Sequence, residues 1–244
     1  DDHGHGSHVA GLAASNTFGL AKDAKIMPVK AMGLTGGDIA SIAGAIYYAV
    51  DMGAKVINMS LGSYGYPHPL EIEAVNYAES KGVIIIAASG NGHPVYRVPV
   101  NTDTMPNYPS ALPNDNIIAV AAKSDEGLLA PYSNYGVDTV DVVAPGGMSP
   151  QDLISAAKEN PAGLEFVGMS GTSMASPVVA GITAQIISAN PGLTIAEIKE
   201  ILMSAGQEIE GLQEKVQSGR YINALDAVER AQNNVLNPNF WPGI

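Results

Sequence analysis

The amino-acid sequence predicts an α/β fold in which a mostly parallel central sheet is flanked by helices. Short apolar runs bounded by glycine, proline or asparagine alternate with longer segments whose apolar residues recur at helical spacing. This alternation is typical of βα units. The chain has 244 residues, of which 46% are hydrophobic, and this is enough to bury one sizeable core. We therefore expect a single domain over residues 1–244.

The predicted strands are the short apolar runs, at residues 26–30, 56–59, 83–88, 117–121 and 140–143. Between them, residues 38–52 and 69–81 have the spacing of amphipathic helices, and Asp38 is placed to cap the first of these. Helices that connect successive strands produce parallel neighbours, because the chain must cross the sheet before the next strand begins.

The C-terminal part of the chain is predicted to be largely helical. Residues 173–189 are small or apolar on nearly every side, as expected of a helix buried inside the domain. Thr194 and Glu197 have the spacing of a capping box for a helix that ends near Ser204, and Asn223 is placed to start a last helix that ends near Ala231. The tail, residues 233–244, is expected to be an irregular strap on the domain surface.

Charge and composition exclude several functions. Twelve Lys and Arg side chains against 24 Asp and Glu give a net charge of −12, which argues against nonspecific binding to nucleic acid or to anionic membranes. The chain has no cysteine, so thiolate metal sites and cysteine nucleophiles are excluded. Its apolar stretches are far shorter than the roughly 20 residues of a spanning helix, and we expect no membrane span.

A serine at the start of the predicted buried helix is the first candidate catalytic residue. Ser173 lies between small residues in the segment SGTSMASP, residues 170–177. At a helix N-terminus its backbone N–H is unpaired within the helix and is able to stabilise a developing oxyanion. The structural alternative is that Ser173 merely caps the helix.

Two further segments carry candidate catalytic groups. His5 begins the segment HGSHVAG, residues 5–11, and a histidine near neutral pKa is the general base that a serine nucleophile requires; the alternative is a structural histidine. Asn91 follows a predicted strand in the segment AASGNG, residues 87–92. Its amide can donate a hydrogen bond to an oxyanion, and the alternative is a turn residue that tolerates left-handed geometry.

These three segments resemble, in order and in content, the motifs of the subtilase family, the subtilisin and proteinase K group. HGSHVAG is similar to the family's histidine motif, ASGN to its oxyanion segment, and GTSMASP to its highly specific serine motif. The resemblance covers nearly the whole chain, because it extends to residues 56–62, 132–136, 143–146 and 221–224. It implies a three-layer subtilisin-like fold and a serine endopeptidase that acts on polypeptides.

The resemblance also assigns roles to residues of this chain. By this resemblance, Ser173 is the nucleophile that forms an acyl-enzyme, and His5 is its general base and acid. Asn91 and the Ser173 backbone N–H then form the oxyanion hole. The resemblance implies that one segment pairs with the substrate as an added strand; it consists of Ser60, Leu61 and Gly62. A second segment is implied to line the pocket for the residue before the cleaved bond, and it consists of Ala88, Ser89 and Gly90. Their small side chains predict a roomy, uncharged pocket.

The family's catalytic aspartate is not found where the resemblance requires it. It precedes the histidine by a few tens of residues in the family, whereas only four residues precede His5 here. Asp1 and Asp2 are too close along the chain to reach around and orient the ring. We expect the aspartate to belong either to an N-terminal part of a longer chain or to a cleaved N-terminal piece that stays associated. The expected partners are therefore the polypeptide substrate and this missing N-terminal segment or a propeptide. The alternative is a catalytically impaired pseudoprotease or a peptide-binding module.

The proposed chemistry requires no cofactor, but two metal hypotheses remain. Structural calcium is one, since Asp103, Asp115 and Asn116 lie in predicted loops and carry oxygen ligands, although solvated loop residues are the favoured explanation. The other is a zinc hydrolase, since residues 3–8, HGHGSH, are similar to the His-x-His-x-Asp-His signature of metallo-β-lactamase-fold hydrolases, with Ser7 in place of the aspartate. The family resemblance favours an extracellular or cell-envelope location.

Overall fold

The computed structural model describes residues 1–96, 98–125, 128–149, 152–158 and 165–234. Its strands are β1 (Val56–Met59), β2 (Ser63–Tyr64), β3 (Ile84–Ala88), β4 (Asn107–Tyr108), β5 (Ile117–Lys123), β6 (Val142–Pro145), β7 (Leu153–Ala156), β8 (Phe166–Met169), β9 (Gln207–Glu208) and β10 (Arg220–Tyr221). Its helices are α1 (His5–Ala14), α2 (Ile39–Asp51), α3 (Pro69–Ser80), α4 (Thr172–Ala189), α5 (Ile195–Ser204) and α6 (Ala224–Asn233), with a 3-10 turn at Leu212–Glu214.

The central sheet has the order β1-β3-β5-β6-β10-β9. Every neighbouring pair in it is parallel except β10 and β9, which are antiparallel. The register aligns Met59, the last residue of β1, with Ala87 near the end of β3. The loops that leave β1 and β3 therefore start side by side at the carboxyl edge of the sheet. This architecture confirms the predicted α/β class with a mostly parallel sheet.

Side chains of β3 alternate between two hydrophobic clusters, one on each face of the sheet. Ile84 and Ile86 pack into the cluster that contains α4, α5 and α6, whereas Ile85 and Ala87 pack into the cluster that contains α2 and α3. All four side chains are almost completely buried. Because successive residues of a strand point to opposite faces, one apolar strand holds both helical layers, and the result is three layers.

Helix α4 crosses the middle of the domain and packs on β1, β3, β5 and β6. Within the described ranges it is the one helix that is long and apolar enough to span a membrane, but most of its residues are buried inside the protein. It is therefore the core helix that the sequence predicts for residues 173–189. Gly181 allows close approach of α1, because a Cβ there would lie 2.8 Å from the carbonyl oxygen of Ala13.

Several local predictions are confirmed residue by residue. β1 covers residues 56–59 as expected, and the carboxylate of Asp38 accepts a hydrogen bond from the backbone N–H of Ser41 at the start of α2. Thr194 and Glu197 form the expected capping box of α5, which ends at Ser204. These features were predictable because caps and amphipathic spacing depend on residues that are close together along the chain.

The strand predicted at residues 26–30 is a correction. The segment forms no strand with any part of the chain that the structure describes, and Ile26 is 48% exposed. An apolar run becomes a strand only where a neighbour accepts its backbone hydrogen bonds. The β7–β8 hairpin was not predicted, and the predicted strap at residues 233–244 lies outside the described residues from position 235 onwards.

Candidate active site

Ser173 lies in the first turn of α4, half-buried beside the loop that leaves β1. Its hydroxyl donates to the carbonyl oxygen of Ser60 at 3.3 Å, and the Ser60 hydroxyl donates back to the carbonyl oxygen of Ser173 at 2.7 Å. The N-cap of α4 is Gly171, and no side chain caps this helix. Ser173 therefore does not serve as the helix cap, and its hydroxyl faces the carboxyl edge of the sheet.

Two hydrogen-bond donors converge next to Ser173. The amide oxygen of Asn91 accepts hydrogen bonds from the backbone N–H and the hydroxyl of Thr172 at 2.8 and 2.9 Å, which fixes the direction of the amide. A Cβ on Gly171 would lie 3.3 Å from Asn91 Nδ2 and 3.6 Å from the backbone nitrogen of Ser173. The missing side chain at Gly171 thus leaves open a space that both donors face, as an oxyanion hole requires.

The turn that carries Asn91 owes its shape to the glycines on either side. Gly90 and Gly92 have φ values of 103° and 86°, whereas Asn91 is not among the residues with positive φ. The interpretation of Asn91 as a residue that merely tolerates left-handed geometry is therefore wrong. Glycine takes the strained positions, and the asparagine side chain is directed to the start of α4.

The side chain of Asn134 holds the turn that carries Asn91, a role that the sequence analysis did not predict. It is completely buried, and its amide oxygen accepts from the backbone N–H groups of Gly92 and Val100. Its Nδ2 donates to the carbonyl oxygen of Ser89 and to the hydroxyl of Tyr64. The one signal in the sequence was the resemblance of residues 132–136 to a subtilase segment, which did not reveal these contacts.

His5 is the first residue of α1, and a carboxylate fixes the start of this helix. Asp1 accepts hydrogen bonds from the backbone N–H of Gly4 at 3.0 Å and of Ser7 at 2.7 Å. Burial lowers the pKa of His5, and the nearby His3 and His8 lower it further. The imidazole is therefore neutral near pH 7, which is the form that accepts a proton.

His8, one turn further along α1, is a structural histidine. It is completely buried, and its Nε2 lies 3.0 Å from the carbonyl oxygen of Leu153 and 3.1 Å from that of Val167. It thereby joins α1 to both strands of the β7–β8 hairpin. Since β8 leads through Gly171 into α4, this contact brings the first turn of α1 to the segment that precedes Ser173.

The relation of His5 to Ser173 follows from how α1 and α4 pack. Ala13 contacts Gly181, and these residues lie eight positions after His5 and Ser173 respectively, a rise of about 12 Å along each helix. His5 and Ser173 are the first residue of α1 and the second residue of α4, two helices that pack against each other. The structure shows no hydrogen bond between them, since the Ser173 hydroxyl donates to Ser60.

No carboxylate among the residues that the structure describes is hydrogen-bonded to the ring of His5. Asp1 is engaged with backbone N–H groups at the start of α1. Asp2 forms an ion pair with Lys30, and this contact lowers the pKa of Asp2. Neither residue orients the ring, as the sequence predicts.

A cavity of about 230 Å³ opens beside Ser173. The residues that line it are uncharged: Leu61, Gly62, Tyr64, Ala88, Gly90, Asn91, Asn107, Thr172 and Ser173. Of the predicted substrate-binding residues, Ser60 contacts Ser173 instead of lining the cavity, and Ser89 is completely buried beneath it. A larger groove of about 370 Å³ between α3 and residues 108–115 contains none of the candidate catalytic residues.

Of the residues considered as metal ligands, Asp103 and His8 have protein partners, whereas the Oδ1 of Asn116 has none in the structure. The Asp103 carboxylate accepts from the backbone N–H of Val137 and from the hydroxyl of Thr139, and Asn116 donates to the carbonyl oxygen of Val83. His8 Nε2 lies against two carbonyl oxygens, so it does not face a zinc ion shared with its neighbours. In the described ranges, no three His, Asp or Glu side chains are grouped to hold a metal ion.

Fold and site together describe an α/β protein in which a candidate catalytic serine lies at the carboxyl edge of a mostly parallel sheet. The chain belongs to the subtilase family, whose model matches residues 1–234. The thermophilic serine proteinase of Bacillus sp. (strain AK1) is 40% identical to it over 93% of this chain and 53% of that protein. Thermitase of Thermoactinomyces vulgaris is 35% identical over 93% of this chain and 75% of thermitase.

Solved structures agree with this assignment. A protease of Pseudoalteromonas arctica superposes with a TM-score of 0.79 at 32% identity, over 93% of this chain and 70% of that chain. The chain spans only part of its relatives, about half of the Bacillus proteinase and 40% of an extracellular protease of Xanthomonas campestris that is 35% identical to it.

Proposed function

We propose that the protein is a serine endopeptidase that hydrolyses peptide bonds through an acyl-enzyme. The observation that carries this proposal is the convergence of Asn91 Nδ2 and the Ser173 backbone N–H beside the Ser173 hydroxyl. Two N–H donors held at this point can stabilise the negative oxygen of a tetrahedral intermediate, which a purely structural turn does not require.

In the proposed mechanism the Ser173 oxygen attacks the carbonyl carbon of the scissile peptide bond while His5 takes the hydroxyl proton. The negative oxygen that results accepts hydrogen bonds from Asn91 and from the Ser173 N–H. His5 then gives its proton to the leaving amine, and an acyl-enzyme forms. Water, activated by His5, releases the acyl group by the reverse sequence. Every group is a side chain or backbone group of the chain, so the chemistry needs no cofactor.

The substrate in this proposal is an extended polypeptide. Residues 60–62 belong to no strand in the described part of the chain, and we propose that this segment pairs with an added strand. Leu61, Gly62, Ala88 and Gly90 line the cavity next to Ser173, and we assign this cavity to the side chain before the cleaved bond. We place the protein outside the cell or in the cell envelope, because a relative from Xanthomonas campestris is named an extracellular protease.

The orienting carboxylate is a separate part of the proposal. Since no described carboxylate bonds to His5, we propose that a polypeptide segment other than these residues supplies it. The group matters for the rate, because loss of the triad aspartate alone in subtilisin lowers kcat by a factor of about 3 × 10⁴. An N-terminal segment or a propeptide is the proposed partner.

An active-site serine probe tests the proposed function. A fluorophosphonate should label the folded protein at Ser173, and peptide mapping of the adduct identifies the residue. Ser173→Ala should lose both labelling and peptide hydrolysis while its thermal unfolding curve stays close to that of the parent protein. Ser170→Ala, which removes an exposed hydroxyl three residues earlier, is the matched control and should keep both.

A second candidate function is a peptide-binding protein that does not turn its ligand over, and it is favoured because no described carboxylate is hydrogen-bonded to the ring of His5. The same probe separates the two. If the folded protein binds peptides but Ser173 is not labelled, the binding function replaces the enzymatic one. Peptide hydrolysis that survives Ser173→Ala would exclude both the proposed mechanism and this alternative.

A further inference from the structure

The backbone carbonyl of Ser173 lacks the hydrogen-bond partner that an α-helix normally provides. In a helix this oxygen accepts from the N–H group four residues later, and that position is Pro177, which lies inside α4. Proline has no backbone N–H, and its ring crowds the carbonyl group four residues before it. The sequence therefore leaves the carbonyl oxygen of the candidate nucleophile in need of a donor from outside the helix.

The hydroxyl group of Ser60 supplies this donor. It donates to the carbonyl oxygen of Ser173 at 2.7 Å, and so connects the loop that leaves β1 to the first turn of α4. A hydroxyl group has one proton to donate, so Ser60 acts as the acceptor in its contact with Asn58. The Nδ2 of Asn58 lies 2.9 Å from the Ser60 oxygen, and this hydrogen bond keeps the Ser60 proton directed at Ser173.

The other end of the Asn58 amide is held by α4. Its Oδ1 accepts a hydrogen bond from the hydroxyl of Ser176 at 2.7 Å, and Ser176 is completely buried. If the amide were reversed, its oxygen would take the proton of Ser60, and the carbonyl of Ser173 would lose its donor. The chain of hydrogen bonds from Ser176 through Asn58 and Ser60 thus ends at the nucleophile, and the loss of one member leaves its neighbours unpaired.

We propose that Asn58 and Ser60 are positioning residues, which replace the N–H that Pro177 lacks and thereby hold Ser173 in its reactive position. This inference rests on the proposed peptidase function. The Ser173 residue carries both the attacking hydroxyl and an N–H that faces the oxyanion space, so a displaced carbonyl displaces both groups. A small misplacement of reacting groups lowers the rate of the chemical step, whereas binding of the substrate depends on other contacts.

The test compares a small probe with a peptide substrate in the full protein. A fluorophosphonate reacts at Ser173 without lying along residues 60–62 as a strand, so its labelling rate reports on the nucleophile alone. We expect Ser60→Ala to lower both the labelling rate and kcat by about tenfold, the effect of one buried hydrogen bond, with KM little changed. Ser60→Thr keeps the hydroxyl and should retain both rates. Ser63→Ala, which removes an exposed hydroxyl in β2, is the matched control and should also retain them.

Asn58→Asp tests the direction of the Ser60 hydroxyl. An aspartate oxygen in place of Nδ2 takes the proton of Ser60, so the labelling rate should fall about as much as in Ser60→Ala. Because both substitutions remove the same hydrogen bond to Ser173, the double variant should lose about as much as either single variant, whereas independent effects would multiply. Circular dichroism establishes that each variant is folded.

Pro177→Ala supplies a second test, because it returns the missing N–H to α4. The carbonyl of Ser173 can then accept within the helix, so Ser60→Ala should change the labelling rate little in this background. An equal loss from Ser60→Ala with and without Pro177→Ala would overturn the proposal. A change in KM alone, with an unchanged labelling rate, would also overturn it, since Ser60 would then act only in substrate binding.

Urea unfolding separates this inference from the proposed function, because it requires no catalysis. Ser60→Ala should lower the midpoint of unfolding more in the wild type than in the Pro177→Ala background. If Ser173 is not labelled but this difference is found, the peptidase function fails and the replacement of the missing N–H by Ser60 stands. If peptides are cleaved and Ser60→Ala leaves the labelling rate unchanged, only the positioning role fails. Equal shifts of the midpoint in both backgrounds would exclude the replacement itself.

Discussion

Three asparagines around the cavity differ in how many of their hydrogen-bonding groups the protein itself satisfies. Asn134 makes four hydrogen bonds and is part of the scaffold. Asn91 is held through its oxygen alone, so its Nδ2 remains directed at the oxyanion space. The Oδ1 of Asn107 has no partner. At the scale of single residues, a polar atom of the site that the protein itself leaves without a hydrogen bond is a candidate for a functional role.

The substitution Asn91→Asp tests the oxyanion donor. Aspartate keeps an oxygen to accept from Thr172 but replaces the Nδ2 donor with a second acceptor. The measured loss on removing this kind of donor in subtilisin, itself a member of the family, is about 10²–10³ in kcat. We expect at least this loss with KM little changed, measured by steady-state peptide hydrolysis. A KM effect with unchanged kcat would show that Asn91 only binds the substrate.

His8 is expected to make stability depend on pH. Burial lowers its pKa, against the opposing effects of its two carbonyl contacts and of Asp152. Because the folded protein favours the neutral ring, this stabilisation is complete above about pH 6.5, the ordinary histidine pKa, and is lost as the pH falls through the lowered pKa. The free energy of unfolding in urea should therefore decrease between pH 7.5 and 5.

Two variants isolate the contribution of His8. His8→Gln retains an N–H donor for the carbonyl oxygens of Leu153 and Val167 but has no proton to gain, so its stability should fall less over the same pH range. His3→Gln, at an exposed position, should follow the wild type. Equal pH dependence in the wild type and His8→Gln would refute the assignment.

Only some of these residues could be identified from the sequence, and the reason is physical. His5, Asn91 and Ser173 were identified because each lies inside a contiguous motif whose neighbours are small or glycine. The role of Asn134 depends on partners tens of residues away along the chain, such as Ser89 and Gly92. Nothing in the local pattern around Asn134 distinguishes it from an ordinary turn residue.

At the scale of elements, a partly buried ion pair attaches α5 to the central sheet. Lys199 contacts the carboxylate of Asp141 at 3.1 Å and donates to the carbonyl oxygen of Ile117 at 2.9 Å, while Asp141 also accepts from the backbone N–H of Ala119. The two side chains are 17% and 9% exposed. The pair therefore lies where water compensates poorly for a lost partner.

Removal of one member of this pair should be costly. Lys199→Met keeps much of the apolar stem but leaves Asp141 without its cation, and we expect the free energy of unfolding to fall by about 3 kcal/mol. The matched control is Lys30→Met, which breaks the pair with Asp2, where the side chains are 60% and 46% exposed. Its effect should be far smaller, and urea unfolding of both variants compares them.

Equal losses in the free energy of unfolding for Lys199→Met and Lys30→Met would contradict this prediction. Equal effects would mean that the α5 pair is as well solvated in solution as the surface pair. A loss confined to Lys199→Met, recovered in part by Lys199→Arg, would instead support charge pairing over packing of the lysine stem.

Elements were predictable where their own sequence decides them. α2 and α5 carry their caps, and β1 and β3 are apolar runs that pair with each other in the sheet. The segment at residues 26–30 has the same apolar character, but pairing is a property of two segments and not of one. The short strands β7 and β8 form because they face each other and α1, which no single-segment pattern encodes.

At the scale of the whole molecule, the sheet order explains where the site lies. β1 and β3 are parallel neighbours, so residues 60–62 and 88–91 leave the sheet side by side at its carboxyl edge. α4 packs across both strands and brings Ser173 to that edge. The part of the site around Ser173 is thus assembled from three segments that are far apart in the sequence, next to the buried strand β3, where small displacements are resisted by dense packing.

The excess of acidic residues also acts on the whole molecule. A net charge of −12 makes the compact state repel itself more strongly than the expanded chain, and salt screens this repulsion. The Debye length falls from about 30 Å at 0.01 M to about 8 Å at 0.15 M salt. We expect sodium chloride over this range to raise stability by about 1 kcal/mol, which corresponds to about 2–4 °C in Tm.

A charge variant supplies the control for this salt effect. Asp23 and Glu73 are exposed, and reversal of both to lysine lowers the net negative charge without touching the core or the cavity. The Tm of the double variant should be higher than that of the wild type at 0.01 M salt and should rise less on addition of salt, as scanning calorimetry would measure. A Tm that is independent of salt in the wild type would mean that local ion pairs such as Lys199 with Asp141 already offset the repulsion, since screening then weakens attraction and repulsion alike.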